Sequence, residues 1–162
     1  MAKITPCLWF ERDAEEAAKF YTSLLPNSHV GKVWYSPADT PSGPAGSVLL
    51  VDLTLAGQDF QILAGGPAGF KFDESISFVI DCEDQAEVDR LWEALTTGGG
   101  EPSMCGWLKD RYGISWQIVP KRLNELVNDP DPERARRATE AMLTMTKIEV
   151  DELERAADAV AV

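Results

Sequence analysis

One helix-like segment occurs twice in this chain. Asp13-AEEAAKFYTSLL and Asp84-QAEVDRLWEALT lie over each other without a gap, so that Asp13 meets Asp84, Glu16 meets Glu87, Lys19 meets Arg90, Phe20-Tyr21 meets Leu91-Trp92 and Leu24 meets Leu95. A segment repeated in this way points to one supersecondary unit used twice. Both copies open on Asp-x-x-Glu, which predicts a capping box at each helix start. Ala17, Phe20, Tyr21 and Leu24 fall on one face at helical spacing, and Val88, Leu91, Trp92 and Leu95 repeat that face. Pro26-Asn27 and Gly98-Gly99-Gly100 are stop signals.

Strand-like runs flank the helices. Ile4 to Phe10 precedes the first, with Val30 to Tyr35, Val48 to Ala56 and Asp59 to Ala64 after it and a tight turn expected at Gly57-Gln58. Ser75 to Asp81 precedes the second, followed by Met104 to Leu108, Lys109 to Tyr112 and Ser115 to Val119. Phe60-Gln61-Ile62-Leu63 and Trp116-Gln117-Ile118-Val119 mirror each other. The main difference in length is the Pro/Gly-rich stretch Ser36 to Ser47. The expected fold class is therefore α+β: two βαβββ units, about 4–64 and 75–119, forming curved mixed sheets within 1–119. Residues 120–162 are expected to be a C-terminal helical extension of the same domain. Asp131-Pro132-Glu133 is a helix start, Ala138, Ala141, Met142 and Met145 give an apolar stripe, and a shorter helix is expected over about 150–157.

Composition excludes several partners. With 15 Lys+Arg against 27 Asp+Glu, the formal charge is −12, a field that repels nucleic acid and anionic lipid. No apolar run reaches the length of a membrane span. The start MAKITPCLWF does not read as a signal peptide, and Cys7, Cys82 and Cys105 have neither disulfide-framework nor zinc spacing, so a cytoplasmic setting is expected.

Three stretches carry a resemblance: Ala64-GGPAGFKFDESISFVIDCED-Gln85, Cys105-GWLKDRYGISWQIVP-Lys121 and Met142-LTMTKIEVDEL-Glu154. Together with the paired units they resemble the PhnB-like branch, often labelled demethylubiquinone methyltransferase, of the vicinal oxygen chelate or glyoxalase/bleomycin-resistance superfamily, from Ile4 to about Ala157. The resemblance implies a concave cup and, in metal-using relatives, four inward-facing ligands. The matching positions here are Pro6, Gln61, Ser77 and Gln117. These offer no charged donor, so no catalytic metal is expected. The only histidine, His29, falls outside that set. The Gly65-Gly66-Pro67-Ala68-Gly69 and Gly98 to Gly100 runs lack the strand–turn–helix setting of a nucleotide cofactor site, so no cofactor is expected either.

Strand parity extends the argument. If Gln61 and Gln117 face the cup, so do Asp59, Leu63, Ser115 and Val119, while Phe60, Ile62, Trp116 and Ile118 pack under the helices. In the preceding strand, Leu49, Val51, Leu53 and Leu55 suit the helix side and Val48, Leu50, Asp52 and Thr54 the cup. Asp52 is the candidate general base, or else a hydrogen-bonded strand residue. Gln61, Ser77, Gln117, Cys105 and Trp107 are candidate ligand-binding residues, and Trp9 and Trp34 candidate walls or packing residues. The expected function is binding of a small organic molecule, in the manner of a bleomycin-resistance protein. A metal-independent isomerase or lyase, or a structural protein with a self-filled cup, are the alternatives. Homodimerisation is implied by the resemblance.

Overall fold

The computed structural model describes residues 3–160, so residues 1–2 and 161–162 of the expected ranges lie outside it. The chain divides into two compact units at Lys71/Phe72.

In the first unit the order is β1 (Cys7–Phe10), α1 (Ala14–Thr22), β2 (His29–Tyr35), β3 (Val48–Leu55) and β4 (Gln58–Ala64). The strands lie in the order β1-β4-β3-β2, with β1 parallel to β4 and the remaining pairs antiparallel. Alternation along β3 buries Val51, Leu53 and Leu55, and along β4 Phe60 and Ile62, against the face of α1 that carries Ala14, Ala17, Ala18 and Tyr21. The opposite parity puts Asp52, Thr54, Asp59 and Gln61 on the face away from the helix, as alternation requires. The β3–β4 turn is Ala56-Gly57, one residue earlier than expected. Both residues have positive φ (47° and 84°), the conformation that a two-residue type I′ hairpin needs.

The second unit repeats the order: β5 (Ser77–Cys82), α2 (Gln85–Thr96), β6 (Glu101–Pro102), β7 (Trp107–Lys109) and β8 (Ser115–Pro120), with sheet order β5-β8-β7-β6. Val88, Leu91 and Leu95 of α2 are fully buried, with Leu108, Trp116 and Ile118 beneath them. The two helix starts differ. Asp84 accepts from the backbone N–H of Glu87, and Glu87 reaches back to the N–H of Glu83. Asp13 instead has φ 63° and makes no side-chain cap, because a capping side chain needs the extended backbone that Asp84 has and Asp13 lacks. The expected strand over 109–112 is also absent. β7 ends at Lys109, and Asp110 to Gly113 form a turn whose organiser is the Asp110 carboxylate.

Beyond β8 the chain is helical: α3 (Lys121–Val127), α4 (Pro132–Leu143) and α5 (Val150–Asp158). The start of α4 follows the sequence signal, with Pro132 in the first turn and Asp131 accepting from the N–H of Glu133. α3 was not marked by sequence. Val119, Leu123, Leu126, Ala138, Met145, Ile148, Leu153 and Ala157 make one buried cluster that fastens the extension to the second unit. Val119 at the end of β8, which strand parity assigns to the cup, is therefore covered by the extension. Among the described residues no helix is long and apolar enough to cross a membrane.

Candidate functional site

The open face of the first unit carries a row of hydrogen bonds across three strands. Asp52 lies directly opposite Gln61 in the β3–β4 register. Gln61 Nε2 donates to Asp52 Oδ1 at 2.9 Å, and the Trp34 indole Nε1 on β2 donates to Oδ2 at 2.8 Å. A carboxylate only accepts, so Gln61 has to turn its NH₂ toward Asp52, which leaves its carbonyl oxygen as an acceptor of fixed orientation. Lys32 Nζ sits 3.4 Å from the centroid of the Trp34 ring, a cation–π contact that steadies the indole. Thr54 donates to Asp59 further along the same face. Sequence parity predicted the company of Asp52 and Gln61; it did not predict that both carboxylate oxygens are engaged.

The second unit brings Ser77 and Gln117 together, with Gln117 Nε2 donating to Ser77 Oγ at 2.9 Å. Trp107 lies directly opposite Gln117 in the β7–β8 register, and together with Cys105 it forms part of the wall of a cavity of about 420 Å³. Its other lining residues include Glu74, Glu101, Met104, Lys109 and Ser115. In the β7–β8 and β6–β7 registers Lys109 is opposite both Ser115 and Glu101, so these three share the face away from α2. Lys109 Nζ is 2.5 Å from Glu74 Oε1. That hydrogen bond holds the Glu74 carboxyl below, and the Lys109 ammonium above, their ordinary ranges. The cavity was not visible in the sequence, because its wall depends on a loop shaped by distant residues.

That loop is held by the extension. The backbone N–H groups of Cys105 and Gly106 donate to Met145 O and Thr146 O, each at 2.8 Å. Cys105 has φ 59° and Gly106 φ 82°, and a Cβ on Gly106 would approach Ile118 O and Ile148 to 3.0 Å, so only glycine passes there. Gln85 at the start of α2 donates to Ile148 O and accepts from Val150 N–H, a second clamp. Asp110, at the end of β7, is 2% exposed and accepts from the N–H groups of Tyr112 and Ile114 and from Trp116 Nε1. The Asp-x-x-Gly spacing at Asp110–Gly113 is the turn signal that would have found it.

The remaining candidates have local roles. His29 is exposed at the start of β2. Trp9 donates to Gly66 O at 3.0 Å and meets Phe70 edge-on, with its ring filling the space where a Cβ on Gly65 would stand. The Gly65-Gly66 run thus follows a strand and seats an indole.

The positions that the resemblance assigns to metal ligands do not fit a divalent ion. Pro6 has no donor side chain, and its carbonyl accepts the N–H of Gln61. Gln61 gives its amide to Asp52, and Gln117 and Ser77 are paired with each other. Neutral amides and a hydroxyl are weak ligands for such an ion. Among the described residues no three of His, Cys, Asp and Glu come together as a ligand cluster.

A family model described as 3-demethylubiquinone-9 3-methyltransferase matches residues 2–119. The chain belongs to this PhnB-like family. Among solved structures, the Bacillus cereus protein described as a putative 3-demethylubiquinone-9 3-methyltransferase, PhnB protein, is 33% identical over 74% of this chain and 99% of its own, with a TM-score of 0.66. Protein PA1353 from Pseudomonas aeruginosa is 19% identical, over 74% and 98% of the two chains, with a TM-score of 0.60. The genomically encoded fosfomycin resistance protein FosX from Listeria monocytogenes, whose structure contains Mn(II) and sulfate, is 13% identical, over 78% and 94%, with a TM-score of 0.52. The last two share the fold alone. No curated protein matches. The fold is that of the glyoxalase/bleomycin-resistance superfamily, as the resemblance implied. The family match stops at Val119, so in this PhnB-like chain the connection between α4 and α5 that holds the 104–107 loop lies outside it, although the sequence resemblance extends to about Ala157.

Proposed function

We propose that this chain binds a small organic molecule on the sheet faces away from α1 and α2, with neutral amides orienting it and without a catalytic divalent ion. The row Trp34–Asp52–Gln61 carries this reading. Both oxygens of Asp52 are taken by N–H donors, which makes the carboxylate a positioning group for Gln61. Gln61 then offers a fixed carbonyl acceptor, the kind of isolated polar group that orients a ligand in an otherwise apolar pocket. The methyl-transfer activity in the family description gains no support from the glycine runs, which seat Trp9 and follow α2.

Native mass spectrometry of protein purified without chelator or metal-affinity resin tests this. An organic adduct on a metal-free chain is the expected outcome; a stoichiometric divalent ion sinks it. Asp52→Asn separates binding from the alternative of a metal-independent isomerase or lyase with Asp52 as base. The binding reading expects ligand retention to fall less than about tenfold, the loss of roughly one hydrogen bond. An abolished turnover with intact binding establishes the enzyme. We also propose a homodimer, since Trp34, Tyr35, Phe70, Ile76 and Val79 are exposed apolar side chains, and a reducing, cytoplasmic setting, since Cys7, Cys82 and Cys105 are free thiols. A single monomeric species in sedimentation equilibrium at micromolar concentration removes the dimer.

A further inference from the structure

Ser115 is 1% exposed, and its Oγ has no hydrogen-bond partner among the described residues. A buried hydroxyl in that state destabilises the fold, and native proteins leave few such groups. Ser115 also lines the 420 Å³ cavity of the second unit. We propose that this cavity binds a neutral aromatic molecule bearing one hydroxyl or carbonyl group, and that the Ser115 hydroxyl is its hydrogen-bonding anchor. This rests on the small-molecule reading above and names the ligand class for one of its faces.

Three features select that class. The volume falls in the range of small-molecule sites, about 300–1,000 Å³. Met104 and Trp107 supply a polarizable thioether and an indole, surfaces that favour a flat ring. The charges around the cavity exclude an acid. Lys109 is already matched by Glu74 at 2.5 Å, and Glu101 faces it across β6 and β7. A carboxylate ligand would therefore meet two carboxylates and one committed ammonium in a chain of formal charge −12. A neutral hydroxyl or carbonyl meets no such opposition, and the serine hydroxyl serves as donor to one and acceptor to the other.

The experiment is isothermal titration of the full chain with 2-naphthol, 2-naphthoate and naphthalene as probes, on the wild type and on Ser115→Ala. The wild type is expected to bind 2-naphthol in the micromolar-to-millimolar range and more tightly than 2-naphthoate. Ser115→Ala is expected to weaken 2-naphthol about three- to tenfold, the effect of one neutral hydrogen bond, and to leave naphthalene unchanged. The ligand-free variant should melt no lower than the wild type, because the substitution removes an unpaired buried group rather than a bond. Naphthoate binding as tightly as naphthol, or equal naphthol affinity in both proteins, overturns the inference and leaves the binding reading standing. Absence of probe binding at millimolar concentration overturns it too, while the general reading stands or falls separately on the native mass spectrum. Ser115→Thr covers the case in which the alanine variant folds poorly: it keeps the hydroxyl, so naphthol binding should exceed that of the alanine variant.

Discussion

Asp110 and Ser115 are five positions apart, both buried, and satisfied to opposite degrees. Asp110 accepts three hydrogen bonds, while the Ser115 hydroxyl accepts and donates none among the described residues. The contrast separates a residue that builds the fold from one that is left over after folding. Cys82 shows burial in another form: desolvation pushes its thiol from its ordinary 9.0 up to about 12. The folded state thus holds its proton where the unfolded chain releases it, so Cys82 contributes stability below about pH 9 that is lost as pH rises toward 12. Thermal melts of the wild type and Cys82→Ala should converge as pH rises through this window; a constant gap shows that ionisation of Cys82 does not matter. Period-two alternation was enough to put Asp52, Gln61 and Ser115 on the faces away from the helices. It was not enough to show their partners, because a hydrogen bond depends on strand register and on a rotamer. The Trp34 contact in particular crosses a β2–β3 pairing with irregular register.

At the scale of elements, the two halves have the same order and sheet topology, and sequence alone was sufficient for that: helical spacing and mirrored strands are local signals. The second unit departs from its own sequence signals between β7 and β8. Lys109 to Tyr112 was expected to be a strand, but Asp110 draws its own backbone into a turn by accepting from residues two and four positions on. Asp110→Ala would leave three donors without acceptors in or near the core. A loss on the order of 3 kcal/mol is expected in urea unfolding, with Asp110→Asn recovering part of it. A loss below about 1 kcal/mol shows that water or backbone relaxation replaces the carboxylate. The capping pattern teaches the same limit. Asp-x-x-Glu occurs before both helices, yet only Asp84 has the backbone conformation to use it. A motif names the atoms available for a bond, and the φ of the cap residue decides whether they meet.

At the scale of the whole chain, the C-terminal helices are an addition to the family core that reaches back into it. Met145 and Thr146 supply acceptors for the 105–106 amides, and Ile148 packs against Gly106. Ile148→Ala is expected to cost about 3 kcal/mol and, in hydrogen exchange, to expose the Cys105 and Gly106 amides before those of β8. Uniform loss of protection across the second unit argues instead that loop and sheet open together. This dependence was beyond the sequence, since nothing in residues 142–154 indicates which loop they touch. It also gives synthesis a direction. The first unit has all its sheet partners once Lys71 has emerged. The second cannot close its 104–107 loop until Met145 and Thr146, forty residues downstream, have left the ribosome, so of the two units it is the later to complete its own contacts.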